Sequence, residues 1–114
     1  MIKTYIFILL FSISFICTAS DKETPPESVL LHYINGNDMF SEGRAKKEDI
    51  FFKKVDANGD GKLDWYLDDP TRCGSQGCNG RVYLFIKSKY CEADDIVARD
   101  TVGKKPNNEL QCNK

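Results

Sequence analysis

Residues 51–67 read FFKKVDANGDGKLDWYL and contain the most specific pattern in the chain. Oxygen-bearing side chains fall at positions 1, 3, 5 and 9 of a loop that begins at Asp56, and Gly61 occupies position 6, where the chain must turn sharply. This is the ligand order of a calcium loop, because calcium prefers six to eight oxygen ligands in a loose shell. Position 7 offers its backbone carbonyl. The pattern predicts a Ca²⁺ site with these ligands: Asp56, Asn58, Asp60, Lys62 and Asp64.

The loop departs from an EF-hand at position 12, where Leu67 replaces the usual bidentate glutamate. Asp68 follows one residue later, and we predict it as a sixth ligand if the chain bulges there. A plain turn is the alternative, because Asp, Asn and Gly favour turns without any metal. Both flanks of the loop are aromatic and β-branched, which favours strands over helices. The stretch therefore predicts a strand, a calcium loop and a second strand.

The run from Val55 to Trp65 resembles the D-x-N-G-D-G-x-x-D loops of FG-GAP and related EF-hand-like calcium repeats, in which strands flank the loop. Such repeats form propellers when they occur in series, and a single copy excludes a propeller here. Residues 56–86 are also similar to small exported bacterial proteins of largely unassigned role, in which this strand precedes a C-G-S-x-G-C turn, here residues 73–78. By position, the resemblance implies the same five loop ligands.

Four cysteines follow the loop, and an even number in a small exported domain indicates disulfides. The flexible tetrapeptide 74–77 can fold back on itself, so we predict two bridges, Cys73–Cys78 and Cys91–Cys112. A zinc site with four cysteine ligands is the alternative, although structural zinc prefers C-x2-C pairs, which the sequence lacks. The C-x4-C spacing also differs from the C-x-x-C of thioredoxin-like proteins.

Residues 1–20 have the layout of a secretory signal peptide, with Lys3 ahead of an apolar run from Tyr5 to Cys17 and small residues at the end. A membrane span needs about 20 apolar residues, so the run is short for an anchor. We predict cleavage after Ala19 or Ser20, with preference for Ser20. The mature protein is then exported, periplasmic or secreted, and has no membrane span.

A lipoprotein anchored through Cys17 is the alternative, but Ile16 stands where that motif needs a small residue. After the signal peptide we expect a flexible lead-in at 21–26, which is polar and carries two prolines, and a single small domain at 27–114. A domain this small buries a modest core, which a metal and disulfides can reinforce.

Hydrophobic periodicity completes the predicted fold. Apolar residues at helical spacing predict a helix over 27–34, and a second short helix is expected within 40–50. Alternation predicts a strand over 81–87, with Val82, Leu84 and Ile86 on one face, and a further short strand is expected at 96–99. The fold class is therefore α+β, with short N-terminal helices followed by a small antiparallel sheet.

Composition and motifs narrow the range of functions expected for the protein. A net charge of −1 over 114 residues argues against binding to nucleic acid. His32, the sole histidine, is expected to be a partly buried helix residue, and no common catalytic motif occurs, so we predict that the protein is not an enzyme. Neighbouring residues on a strand point apart, so the acid pairs Asp68-Asp69 and Asp94-Asp95 disfavour a glycosidase. We expect the first pair to complete the metal shell or to begin a turn at Pro70.

Two non-enzymatic functions remain. We expect a disulfide-stabilised calcium-binding module that recognises another exported or envelope protein. The alternative is a periplasmic inhibitor or immunity protein that neutralises a toxin or a cell-wall hydrolase, since a rigid scaffold lowers the ordering cost of binding.

Overall fold

The computed structural model describes residues 23–113, so the predicted signal peptide, its cleavage points and Cys17 lie outside the described residues. The described chain forms two α-helices, five strands and two 3₁₀ turns, Lys47–Asp49 and Pro70–Arg72. It is an α+β fold with an antiparallel sheet, as predicted. The helices and strands are α1 (Glu27–Asn35), α2 (Asp38–Ser41), β1 (Phe51–Val55), β2 (Asp64–Asp68), β3 (Cys73–Gly74), β4 (Gly77–Ile86) and β5 (Lys89–Ala98).

The sheet is built around β4, which pairs in antiparallel fashion with β2, β3 and β5. β1 pairs with β2 in regular register, with Val55 opposite Asp64 and Phe51 opposite Asp68. The loop at residues 56–63 therefore connects two neighbouring strands. This arrangement confirms the predicted strand–loop–strand order, because both flanks pair as strands rather than coiling as helices.

Side-chain alternation along the strands separates two buried clusters, one on each face of the sheet. Tyr66 lies in one cluster, whereas its neighbours Trp65 and Leu67 lie in the other. The first cluster is covered by the C-terminal segment, and the second is covered by α1. The first contains Ala57, Tyr66, Val82, Leu84, Ala93, Val102 and Leu110, and the second contains Val29, Tyr33, Ile50, Trp65, Leu67 and Tyr83.

The predicted faces of β4 are confirmed by these clusters. Val82 and Leu84 are fully buried on the face of the C-terminal segment, with Ile86 packed beside them, and Tyr83 is buried on the α1 face. Each large apolar side chain buried in this way contributes about 1.5–3 kcal/mol to folding. Because both faces are covered, β4 is an interior strand of a three-layer arrangement.

Two secondary-structure predictions need correction. The expected helix within 40–50 is wrong: α2 ends at Ser41, and only a 3₁₀ turn follows at Lys47–Asp49. Gly43 adopts a φ of 78°, a left-handed conformation that stops a helix. The strand expected at 96–99 is the end of the longer β5, which pairs with β4 on both sides of its acidic centre. The register shifts at that centre, and residues 93–95 have no partner on β4.

Both predicted disulfides are present. Cys73 and Cys78 are direct partners across the β3–β4 hairpin. Cys112 forms its bridge to Cys91 and also pairs with Ala93, so the C-terminal segment is fastened along β5. This attachment holds Leu110 against the sheet. No helix among residues 23–113 is long and apolar enough to cross a membrane.

Candidate metal centre

The loop between β1 and β2 is tightly curled by two glycines in left-handed conformations. Gly59 has a φ of 81° and Gly61 has a φ of 86°, values that side chains with a Cβ rarely adopt. Gly61 stands at the position where the calcium-loop pattern demands a sharp turn. The sequence therefore predicted the turn correctly.

Three oxygen-bearing side chains fold back onto the backbone of this loop. Asp56 accepts hydrogen bonds from the N–H groups of Gly59 at 2.8 Å and Gly61 at 2.9 Å. Asn58 accepts from the N–H of Asp60 at 3.3 Å, and Asp60 accepts from the N–H of Lys62 at 2.9 Å. These bonds fix the carboxylates and still leave lone pairs for a cation, since each ionised carboxylate has about four acceptor sites.

Asp64 anchors the loop to the sheet. Its side chain is fully buried, and its two oxygens accept the backbone N–H groups of Ala57 and Phe85, each at 2.9 Å. Burial raises the pKa of Asp64, the two backbone hydrogen bonds oppose this rise, and the charges of Asp60 and Asp56 add to it. A nearby cation would favour the ionised form of this carboxylate.

The loop brings Asp56, Asp60 and Asp64 together. Carboxylate oxygens of all three lie within 4.8 Å of one another. Like charges at this separation repel, and a divalent cation between them reverses the sign of the interaction. This Asp-rich cluster can hold a metal ion. Asn58 and Lys62 lie in the same loop, and their roles as ligands stay a prediction.

Asp68 does not belong to this cluster, and the prediction that it is a sixth ligand is wrong. β2 pairs with β1 without a bulge from Asp64 to Asp68. The two residues therefore lie at opposite ends of the strand, with their Cα atoms roughly 13 Å apart at 3.3 Å per residue. Asp68 is fully buried and accepts from Arg99, through Nη2 at 2.6 Å and Nε at 2.9 Å, and from the Tyr66 hydroxyl at 2.7 Å. Its charge is therefore already compensated.

Asp68 also lies close to Cys73 and Cys78, within the 4.8 Å that would suit a shared ion. Both sulfur atoms belong to the Cys73–Cys78 disulfide. Metals bind cysteine as the thiolate, which a disulfide does not provide. This second group is a structural contact and not a metal centre.

Asp69 is a buried carboxylate whose network sequence reasoning missed. Its carboxylate accepts hydrogen bonds from the Tyr33 hydroxyl at 2.5 Å and from the Asn37 amide at 3.1 Å. It also accepts from the backbone N–H and the hydroxyl of Thr71, and it lies 3.6 Å from Nε of Arg72. These bonds fasten α1 and α2 to the turn after β2. The sequence predicted a turn at Pro70, and Asp69 is the N-cap of that turn. The sequence did not predict that Tyr33 and Asn37 would donate to Asp69.

The prediction that His32 is partly buried is wrong. It is exposed on α1, and its Nδ1 lies 2.9 Å from the hydroxyl oxygen of Tyr83 on β4. The two rings meet edge to face with centroids 5.5 Å apart. His32 lies away from the metal cluster, and the pair is a second polar feature of the molecule.

Comparisons of the chain with protein-family models, with curated proteins and with solved structures gave no significant match. The resemblance of the loop to FG-GAP and related calcium repeats stays a prediction.

Proposed function

We propose that this protein is an exported module that is stabilised by Ca²⁺ and acts by recognising another protein rather than by catalysis. The observation that carries the calcium part is the convergence of Asp56, Asp60 and Asp64, whose carboxylate oxygens lie within 4.8 Å of one another. Without a cation, three like charges oppose the curled loop.

Calcium fits this loop better than magnesium. The proposed ligands are carboxylates, the Asn58 amide and the Lys62 carbonyl, an all-oxygen set supplied by one short loop. Mg²⁺ demands near-ideal octahedral geometry and keeps several waters, whereas Ca²⁺ accepts irregular shells of six to eight oxygens. Without the bidentate glutamate, we expect a Kd of roughly 10⁻⁴–10⁻³ M, the range of extracellular modules. The ion is therefore structural rather than a signal.

A thermal-unfolding experiment tests the calcium site. Calcium at a hundredfold excess over its Kd should stabilise the mature protein by about 2.7 kcal/mol relative to EGTA, because only the native state presents the site. Asp60→Asn should remove most of this gain. Glu109→Gln is the matched control, since Glu109 is also an exposed acid but lies outside the cluster. Equal melting temperatures of the wild type in EGTA and in millimolar calcium would overturn the proposal.

Recognition of an exported or envelope protein is supported by exposed aliphatic side chains on rigid elements. Leu31 on α1 is 45% exposed, and Leu63 in the metal loop is 50% exposed. Two disulfides limit the freedom of the scaffold, which lowers the entropy cost of association. Affinity capture from periplasmic extract should recover one partner with wild type and lose it with Leu63→Ser or Leu31→Ser. Equal recovery by all three proteins would contradict this role for the exposed leucines.

Export is proposed from the leader sequence together with the two disulfides, which persist in oxidising compartments. Intact-mass analysis of periplasmic or secreted material should show a chain that begins at Ser20 or Asp21. A full-length chain, or one carrying lipid on Cys17, would contradict this prediction.

A further inference from the structure

A cleft of about 740 Å³ lies between α1 and the β4–β5 hairpin, apart from the metal cluster. This volume falls within the range of small-molecule sites, roughly 300–1,000 Å³. Residues of the metal cluster do not line it, so the inference below is independent of calcium. Its polar lining includes side chains from α1, β4, β5 and the end of the described chain: Ser28, His32, Tyr83, Tyr90, Glu92 and Asn113.

The base of the cleft carries a fixed polar pair. Tyr83 is only 2% exposed, and its hydroxyl oxygen lies 2.9 Å from Nδ1 of His32. Burial raises the pKa of Tyr83, and the charge of Glu92 raises it further, so the phenol keeps its proton. The paired hydroxyl and imidazole can therefore offer both a donor and an acceptor to a ligand.

The charges that line the cleft balance. Glu92 is partly buried, and it lies 3.4 Å from Nε of Arg81, which holds its carboxylate in place. Lys89 contributes one positive charge to the lining and Glu92 one negative charge. A ligand therefore needs no net charge to match this wall. The lining serines, Asn113 and the carboxylate of Glu92 can form several hydrogen bonds with it.

An apolar wall completes the site. Tyr90 stands on β5 opposite Phe85, with ring centroids 4.9 Å apart, so its ring is held in place. Val29 on α1 and Cys91 on β5 also border the cleft, and Val29 is only 2% exposed. Aromatic rings present both an apolar face and a polar edge to a ligand.

The hairpin turn at the mouth of the cleft is held in an unfavourable backbone conformation. Lys87 has a φ of 53° and Ser88 a φ of 65°, although turns of this kind favour Asn and Gly. A two-residue hairpin loop between the paired residues Ile86 and Lys89 requires positive φ at both positions, so the hairpin itself accounts for this conformation. Ser88 itself lines the cleft.

We propose that this cleft binds a neutral saccharide ring. Each sugar hydroxyl both donates and accepts hydrogen bonds, which matches the hydroxyl, imidazole, amide and carboxylate groups of the lining. The apolar C–H face of a sugar matches the ring of Tyr90, which lines the cleft. The balanced charge of the wall favours a neutral ligand over an organic anion or cation.

NMR titration of the mature chain in saturating calcium tests the proposal, with glucose, galactose and N-acetylglucosamine as probes and N-acetylphenylalaninamide as a peptide-like control. At least one sugar should give saturable shifts of the amides of His32, Tyr83, Tyr90 and Glu92, with a Kd of about 1 mM. The absence of saturable shifts with every sugar at ~50 mM, or saturable shifts only with the control, would overturn the proposal.

Two variants locate the binding. His32→Ala and Tyr83→Phe should each weaken sugar binding about three- to tenfold, the loss expected for one hydrogen bond. Asn35→Ala changes an exposed residue of the same helix that does not line the cleft, and this variant should bind as wild type does. Because His32 is exposed, its variant remains informative even if Tyr83→Phe fails to fold. Wild-type affinity in His32→Ala would overturn the assignment.

Discussion

Asp64 ties the metal loop to the central strand, because one of its oxygens accepts the backbone N–H of Phe85 at 2.9 Å. Its other oxygen accepts the N–H of Ala57 inside the loop, also at 2.9 Å. The carboxylate is fully buried and belongs to the acidic cluster. Asp64 therefore joins the loop to β4, whereas the backbone hydrogen bonds of Asp56 and Asp60 stay within the loop. The link through Asp64 persists without a cation.

The first prediction separates the two roles of the acidic cluster. In EGTA, Asp64→Ala should lower the free energy of unfolding by about 2–4 kcal/mol, because two backbone N–H groups lose their acceptor. Asp60→Ala should change it by less than about 0.5 kcal/mol, since Asp60 is exposed. Urea denaturation in EGTA gives both values. Equal losses in the two variants would contradict the metal-independent role of the Asp64 hydrogen bonds.

The second prediction concerns the contact of Gly80 with β2. A Cβ at Gly80 would lie 2.2 Å from the carbonyl oxygen of Leu67 and 2.8 Å from Cβ of Asp68. Gly80→Ala must push two paired strands apart and should cost about 2–3 kcal/mol or more. Gly74→Ala is the control, because a Cβ there has no neighbour within 4 Å among the described residues. Matching urea midpoints for the two variants would contradict the close approach.

The third prediction concerns the ion pair between Asp68 and Arg99. Asp68 is fully buried, so Arg99→Met leaves a buried carboxylate without its cation and should destabilise the fold by about 2–4 kcal/mol. Arg44→Met is the control, because its ion pair with Glu42 is well exposed and should contribute below about 1 kcal/mol. The two losses, measured by thermal unfolding, should differ clearly. An Arg99 variant as stable as the Arg44 variant would contradict this account.

The fourth prediction is a loss of stability at alkaline pH. Burial raises the pKa of Tyr33, Tyr66 and Tyr83 above the usual value of about 10, and carboxylates beside each raise it further. Above pH ~10 the unfolded chain loses phenolic protons that the folded chain retains, so stability is full below that pH and falls as pH rises.

The size of this loss approaches 1.4 kcal/mol per tyrosine for each pH unit above ~10. Urea midpoints at about pH 8, 10 and 11 measure it. Tyr33→Phe removes one of the three phenols and should make the decline shallower, whatever its effect at pH 8. An unchanged slope in Tyr33→Phe would show that Tyr33 does not contribute to the alkaline transition.

Local spacing was enough to predict much of the fold. The alternation at 81–87 assigned Val82 and Tyr83 to opposite faces of a strand, and the structure confirms this. The tetrapeptide between Cys73 and Cys78 allowed the chain to fold back, so the pairing of the cysteines followed. These features depend on residues a few positions apart, where backbone geometry dictates which side chains meet.

The expected helix at 40–50 shows the limit of such reasoning. Charged residues with helical propensity occupy much of that segment, but Gly43 stops the helix, and Ile50 is buried under α1 instead. Local propensity is a weak preference that tertiary contacts override.

The sequence by itself determined the strand–loop–strand unit, the glycine positions of the loop and the meeting of Asp56, Asp60 and Asp64, because short loops leave few conformations. Only the tertiary structure decided that Asp68 pairs with Arg99, 31 residues away, and that His32 meets Tyr83, 51 residues away. Those partners depend on how helices and strands pack across the sheet, and spacing along the chain does not encode that packing.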